Sequence, residues 1–287
     1  MILSVIKMRE HISSFNKTQM MISDNFEVYH YREPYFKSLD FHSHDFYEFY
    51  LFLDGQVTYY VEDMVYELSR GDLLLIQPGR MHRPVIERED AVYERMVLWI
   101  NRGYLRSLER KEGEITGPLD DFLSGGGCRI RFCGEELIFF RQIIIRLINA
   151  WEEKNDTAAG GLINVFVNGV CAYEPEKNGQ NQGLIQEIIG YINENFTQPL
   201  TLEMLCAKFY ISKYHMLRKF KQYTNSTVHE YILSKRISRA RSLIRQGFSA
   251  SDACSLCGFS DYSNFYKTFA AQMGMTPSEF KKTVKDS

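Results

Sequence analysis

No stretch of these 287 residues approaches the ~18 consecutive apolar residues of a membrane-spanning helix, so the sequence offers no membrane partner. The opening residues, MILSVIKMREHISSF, carry charge at Lys7, Arg9 and Glu10 and hold no sustained apolar run, which does not fit a secretory signal peptide. The six cysteines are scattered, without the spacing of a disulfide scaffold. Cys254-x-x-Cys257 lacks the second pair that a zinc site needs, and both residues fall on one apolar helix face, so they read as core. That cysteine usage fits a reducing compartment, and the expected location is the cytoplasm.

Charge of one sign is not in excess either, at 34 Lys+Arg against 36 Asp+Glu, but the balance is uneven along the chain. Residues 184–287 carry 14 Lys+Arg against 8 Asp+Glu, while residues 1–183 carry 20 against 28, so a basic tail (+6) follows an acidic remainder (−8). The basic part suits a polyanionic partner and the acidic part does not. At this length the chain can hold two domains, each burying its own core. A content of 45% hydrophobic and 24% charged residues is ordinary for a globular protein.

Residues 198–282 read as one helix-turn-helix written twice and joined by a long basic helix over 227–246. In the first copy, TLEMLCAKFYISKYHMLRKFKQYT (201–224), Thr201 caps a helix with Leu202, Leu205, Cys206 and Phe209 at helical spacing. After a break at Tyr210-Ile211, Ser212 caps a second helix that buries Met216, Leu217 and Phe220. In the second copy, SASDACSLCGFSDYSNFYKTFAAQMG (249–274), Cys254, Phe259, Asp261 and Phe269 take the places of Cys206, Ile211, Ser212 and Phe220. The offset is 48 residues before the turn and 49 after it, so the second turn is one residue longer.

This duplicated segment resembles the DNA-binding domain of the AraC/XylS family of bacterial transcription regulators. The run GFSDYSNFYKTFAAQMGMTPSEFKK (258–282) follows that family's second motif almost position for position, and ISKYHMLRKFKQYT is nearly as close. Three departures stand out. Leu217 sits where the family often presents a polar base reader, Asn225 where it frequently has Gly, and Ala250 and Ala253 where larger aliphatics are usual. The resemblance implies double-stranded promoter DNA, a small-molecule effector and RNA polymerase as partners, and a homodimer.

In a helix-turn-helix the second helix enters the major groove and its N-terminal residues touch base edges. The candidates in the first copy are Ser212, Lys213, Tyr214, His215 and Arg218, the last one turn beyond Tyr214, where its fork suits a guanine. Tyr262, Ser263 and Lys267 fall on the matching face of the second copy. Lys219, Lys221, Lys235, Arg236, Arg239 and Arg241 suit phosphates better than bases, with the linker helix turning its cations outward. The bland alternative is a solvated basic face.

From residue 26 to about 100 the hydrophobic period is that of strands. Strands are expected over 48–53, 56–61, 64–68, 73–76 and 92–100, with Asp54-Gly55 a hairpin turn. Regular short strands punctuated by Gly and Pro argue for a small barrel or jelly roll. Within it, His42-Ser43-His44-Asp45-Phe46-Tyr47-Glu48, then six residues and Gly55, and later Gly71-Asp72 … Pro78-Gly79-Arg80-Met81-His82, resemble the two cupin motifs. The resemblance implies His42, His44, Glu48 and His82 as ligands of a divalent transition metal, a donor set that suits zinc, iron, nickel or manganese. The second block lacks the usual Asn after its His. Three readings stay open for the quartet: metal ligation, the wall of a polar ligand pocket, and structural hydrogen bonding. Tyr47, Tyr50, Tyr59 and Arg80 join it as candidates for holding a small polar ligand, sugars included.

Residues 101–135 read as a connector with a short helix around Tyr104, Leu105 and Leu108 and a glycine break at 124–127. An amphipathic helix over 136–151 and an apolar stretch over 162–173 follow, covering the barrel or forming a dimer seam. The expected division is a loose lead-in (1–25), a cupin-like ligand-sensing barrel (26–100), a connector and helical dimerisation region (101–173), a linker (174–183) and the tandem helix-turn-helix (184–287). The fold class is α+β in two domains: a cupin-like β-barrel with following helices, then an all-α part. The function expected is a sequence-specific DNA-binding transcription regulator controlled by a small molecule, and not an enzyme. The alternative is a metal-dependent cupin enzyme, an isomerase or dioxygenase, with a DNA-binding tail.

Overall fold

The computed structural model describes residues 21, 23–33, 40–87, 92–112, 117, 119, 128–174 and 183–285. The expected lead-in, the glycine break and the expected linker lie wholly or mostly outside the described residues. The N-terminal elements are β1 (Phe26–Glu33), β2 (Phe46–Asp54), β3 (Val57–Val61), β4 (Met64–Glu67), β5 (Asp72–Ile76), β6 (His82–Ile86), β7 (Tyr93–Asn101), α1 (Arg102–Glu112), β8 (Arg129–Arg131), α2 (Gly134–Glu152) and α3 (Asp156–Cys171). The helical part follows as α4 (Leu184–Asn195), α5 (Leu202–Lys208), α6 (Lys213–Thr224), α7 (Val228–Arg245), α8 (Ala250–Leu256), α9 (Tyr262–Met273) and α10 (Pro277–Lys285).

Strand β2 explains the layering. Its side chains alternate across the sheet, so Tyr47, Phe49, Leu51 and Leu53 enter one core while Phe46, Tyr50 and Phe52 enter another. The first core packs against α1, α2 and α3. The second lies between the antiparallel five-stranded sheet β1-β7-β2-β5-β8 and the antiparallel three-stranded sheet β4-β3-β6. A strand covered on both faces carries almost no polar alternation, which is why β2 reads as an aromatic run. The sequence sets no bounds for β1, β6 or β8. β8 is three residues long, too short to show a period, and it lies in the stretch read only as connector.

Each helix-turn-helix is closed by the caps its sequence encodes. Thr201, Ser212, Thr227, Ser249 and Asp261 each accept a hydrogen bond from the main-chain N–H three residues on. Asn225 (φ 58) and Gly274 (φ 69) end α6 and α9 in the same left-handed conformation. In the turns, Tyr210 (φ 51) matches Gly258 (φ 81). A Cβ on Gly258 would meet the Thr197 carbonyl oxygen at 2.2 Å, so this position requires glycine, whereas Tyr210 is 97% exposed. Helix α7 serves both motifs: Val228, Tyr231 and Ile232 pack with the first, and Ile237, Ala240 and Ile244 with the second. Cys254 and Cys257 are buried in that second core, where burial pushes the Cys257 thiol up to about 12.

Gly258→Ala and Gly274→Ala therefore separate backbone strain from steric overlap. Both meet the left-handed penalty of about 1–2 kcal/mol, but nothing lies within 4 Å of a Cβ on Gly274. Urea titration should show Gly258→Ala to be the more destabilised of the two; equal midpoints would contradict the close approach to Thr197.

Candidate functional site

His42 and His82 face each other through two main-chain hydrogen bonds, His42 N–H to His82 O at 3.1 Å and His82 N–H to His42 O at 2.9 Å. His44 lies just before β2, and Glu48 is on the barrel-facing side of β2. All three rings turn Nδ1 to a main-chain carbonyl: His42 to Asp40 at 3.0 Å, His44 to Phe46 at 2.9 Å and His82 to Arg80 at 2.9 Å. A carbonyl only accepts, so Nδ1 carries the hydrogen and each neutral ring presents an Nε2 lone pair. His44 Nε2 is 2.7 Å from Glu48 Oε2, and His82 Nε2 is 3.5 Å from the same oxygen.

A lone pair facing a buried carboxylate at that distance is repulsive unless a proton or a metal cation lies between them. Burial lowers His44 and pulls His42 down to about 3, the neighbouring His82 adding to the shift at His42. For Glu48, burial raises the carboxyl, but the facing nitrogens of His44 and His82 outweigh it when a proton sits between them and the carboxylate, and hold the group well below the usual carboxylate range. Ligand atoms of His44, Glu48 and His82 all lie within 4.8 Å of one another, whereas His42, expected as a fourth ligand, falls outside this group and only packs its ring 4.3 Å from that of His82 between centroids. Histidines anchored through one nitrogen to a carbonyl, with the other facing a shared space, have the arrangement of metal ligands. The donor set fits a divalent transition metal.

Beyond the cluster the barrel interior is aromatic. Tyr50 and Tyr59 lie 4.8 Å apart between ring centroids, Tyr50 bonds the hydroxyl of Tyr93, and the Tyr59 ring stacks on His82. Two of the expected pocket residues are elsewhere. Tyr47 is on the opposite face of β2, in the core beneath the helices, because it is one residue out of phase with Glu48. Arg80 turns to Glu62 at 3.7 Å and Gln77 at 3.4 Å. The sequence reading passed over Arg95, which is buried with its guanidinium over the rings of Tyr93 (4.1 Å) and Tyr31 (4.6 Å). The alternation of β7 carried the signal, since Arg95, Val97 and Trp99 share the barrel face.

On the helical part, Ser212, Lys213, Tyr214 and Arg218 are exposed on α6, as are Tyr262, Ser263 and Lys267 on α9. Ser212 spends its hydroxyl on the N–H of His215, and Lys213 forms an exposed pair with Glu203 at 2.8 Å. His215 and Lys219 border a cavity of about 440 Å³ between α6, α4 and Tyr60 of the barrel. Tyr210, in the turn, was missed and is the most exposed aromatic of the motif.

The linker helix differs most from expectation, because its cations do not all face outward. Lys235 is 8% exposed and gives its ammonium to Glu62 of the barrel. Arg241 is buried against Asp45 at 3.0 Å, and Arg245 closes on the other Asp45 oxygen at 2.6 Å. Arg236 donates to the carbonyls of Phe196 and Gln198 at 2.7 and 2.8 Å. Of the four linker-helix cations expected at phosphates, Lys235, Arg236, Arg239 and Arg241, only Arg239 is exposed. An unpaired buried charge is costly, so the acidic barrel recruits the cations that periodicity alone assigns to solvent.

A two-sheet barrel with a polar cluster at its mouth, followed by tandem helix-turn-helices on one shared helix, defines a sensor joined to a DNA reader. An AraC-like ligand binding domain matches residues 25–115 and a helix-turn-helix domain matches residues 205–283. The HTH-type transcriptional activator RhaR of Mannheimia succiniciproducens is 22% identical over 88% of this chain and 89% of its own. RhaR of Escherichia coli O139:H28 is 23% identical over 84% and 86%. A solved structure of ToxT from Vibrio cholerae aligns with 92% of this chain and 97% of its own at 16% identity, with a TM-score of 0.41, a likeness too loose to carry domain placement. The chain belongs to the AraC/XylS family. It is a DNA-binding transcription regulator with an N-terminal ligand-binding domain. Among the described residues no helix is long and apolar enough to cross a membrane.

The cluster makes stability pH-dependent. His42, His44 and Glu48 all titrate lower folded than unfolded, so the unfolded chain binds more protons and stability rises with pH. The histidine contribution is complete above about 6.5 and fades as pH falls toward 3, with Glu48 adding its loss below 4.5. For metal-free protein the urea midpoint should drop steadily from pH 7 to pH 4; a flat profile would contradict neutral buried histidines.

Proposed function

We propose that α6 and α9 read two successive major-groove faces about 10 bp apart on one side of the duplex. Matched exposure carries this reading: Tyr214 and Arg218 on α6, and Tyr262, Ser263 and Lys267 on α9, occupy corresponding faces of two helices joined by one continuous helix. Arg218 contacts a base edge, Tyr214 and Tyr262 offer stacking or methyl contact, and Arg239 meets phosphate. Lys213 leaves Glu203 for the polyanion, a small loss for an exposed pair. By analogy with the RhaR activators, the protein acts on transcription as an activator, through RNA polymerase and as a homodimer. Ile138 and Phe139 on α2 and Val165 on α3 support the dimer, since they expose apolar surface on the helical layer.

The effector is a small polar molecule held in the barrel, where Tyr50 and Tyr59 supply aromatic walls and Arg95 a buried cation. His44, Glu48 and His82 hold a divalent transition metal, whose positive charge lies between the Nε2 lone pairs and the carboxylate. The orphaned, fully buried Nε2 of His82 supports this directly.

Arg218→Ala should lower discrimination between a target promoter and its single-base variants by about 1–3 kcal/mol. Arg239→Ala should weaken all sequences alike and reduce the salt slope by about 1. Fluorescence anisotropy on a promoter series measures both, and uniform losses for Arg218→Ala would remove it from base reading. Phe139→Glu should give a monomer in sedimentation velocity; a persisting dimer would place the contact elsewhere.

A further inference from the structure

Each histidine of the cluster has a sequence neighbour that touches the DNA-binding part. Phe41 precedes His42, Asp45 follows His44, and Met81 precedes His82. Neighbouring side chains on extended chain point to opposite sides, so each histidine enters the barrel while its neighbour leaves it. Phe41 and Met81 are buried in the core of the first helix-turn-helix, the Phe41 ring 6.0 Å from that of Tyr231 and 6.4 Å from that of Tyr223. Asp45 holds Arg241 and Arg245 of α7.

The main chain of the same two segments takes part as well. Arg241 reaches the Ser43 carbonyl at 3.5 Å, Lys235 reaches that of Gly79 at 3.4 Å, and Gly79 N–H donates to His44 O at 2.7 Å. Glu62, which receives Lys235, donates its N–H to Met81 O at 2.7 Å and sits at a φ of 53. Glu62 is the first residue of the two-residue turn between β3 and β4, a position where such a hairpin takes a positive φ.

We propose that a divalent cation on His44, Glu48 and His82 locks the seam between barrel and DNA-binding part, and that its loss releases α6 and α7 from the barrel. This rests on the cation reading of the cluster given above. With the cation, the rings share one centre, and residues 41–45 and 79–82 hold Phe41, Asp45 and Met81 in register against α6 and α7. Without it, Nε2 lone pairs confront the Glu48 carboxylate and the two segments lose their common anchor. Released Lys235 and Arg241 exchange their barrel carboxylates for water or DNA phosphate. Occupancy of the sensor thereby reaches the DNA reader through a step of one residue along the chain.

The test takes the full chain, stripped with chelator and titrated with zinc, nickel or manganese(II) chloride. The expected result is binding of about one equivalent in calorimetry, together with slower hydrogen exchange at residues 79–82 and along the barrel side of α7. The Asp45→Asn/Glu62→Gln double variant keeps all three proposed ligands and should bind the metal roughly tenfold more weakly, because coupling is reciprocal. Metal binding with unchanged seam exchange, and with equal affinity in the double variant, would overturn the lock and leave the cluster a metal site. Failure of all three metals to bind would overturn both readings. The charge swap Glu62→Lys/Lys235→Glu keeps an ion pair at the seam and should bind metal as the wild type does. A swap as weak as the double variant would show that these changes act on the cluster directly, against the lock.

Discussion

On an extended chain, adjacent side chains point to opposite sides, and the working parts of this protein depend on that constraint. In β2 it sends odd-numbered residues beneath the helices and even-numbered ones into the barrel, so one strand builds two cores. Around the cluster it sends histidines inward and Phe41, Asp45 and Met81 outward. A shift of one residue in either place would exchange the two sets, placing a phenylalanine among the polar donors and a histidine in the helical core. The register is therefore held by the chemistry of both sides at once.

The charge asymmetry of the chain has two destinations. Part of the basic tail faces outward on α6, α9 and at Arg239, where a polyanion can reach it. Another part is consumed inside the molecule, where Glu62 and Asp45 of the acidic half take Lys235 and Arg241. Desolvated ions must find partners, and those partners lie more than 170 positions away in sequence. The seam consequently places the cations of the linker helix in competition between the barrel and a nucleic acid, which is a natural point of control for a regulator with a ligand-binding domain.

The histidine quartet illustrates how far residue type alone carries. Spacing of His42, His44 and Glu48, with His82 later, brought a metal set into view together with two other readings, and nothing in the sequence ranks them. What narrows the choice is the direction of each ring. With Nδ1 bound to the carbonyls of Phe46 and Arg80, His44 and His82 turn their Nε2 atoms to one carboxylate. Arg95 shows the opposite failing: it drew no reading from the sequence, and although it is in phase with Val97 and Trp99 on β7, only the facing sheet makes that face an interior one.

By itself the sequence determined the tandem helix-turn-helix, down to its caps at Ser212 and Asp261 and the extra residue in the second turn, because caps, turns and helical periods are local. It also placed β2, β3, β4, β5 and β7 to within about two residues, since these are extended segments with turn residues between them, but set no bounds for β1 or β6. Only the tertiary structure decided which cations are exposed, that Tyr47 lies beneath the helices, that Arg95 faces the barrel interior, and that β8 completes a sheet from within a supposed connector. Those are questions of which distant surface lies opposite a given face. A period names the face, and packing alone names what covers it.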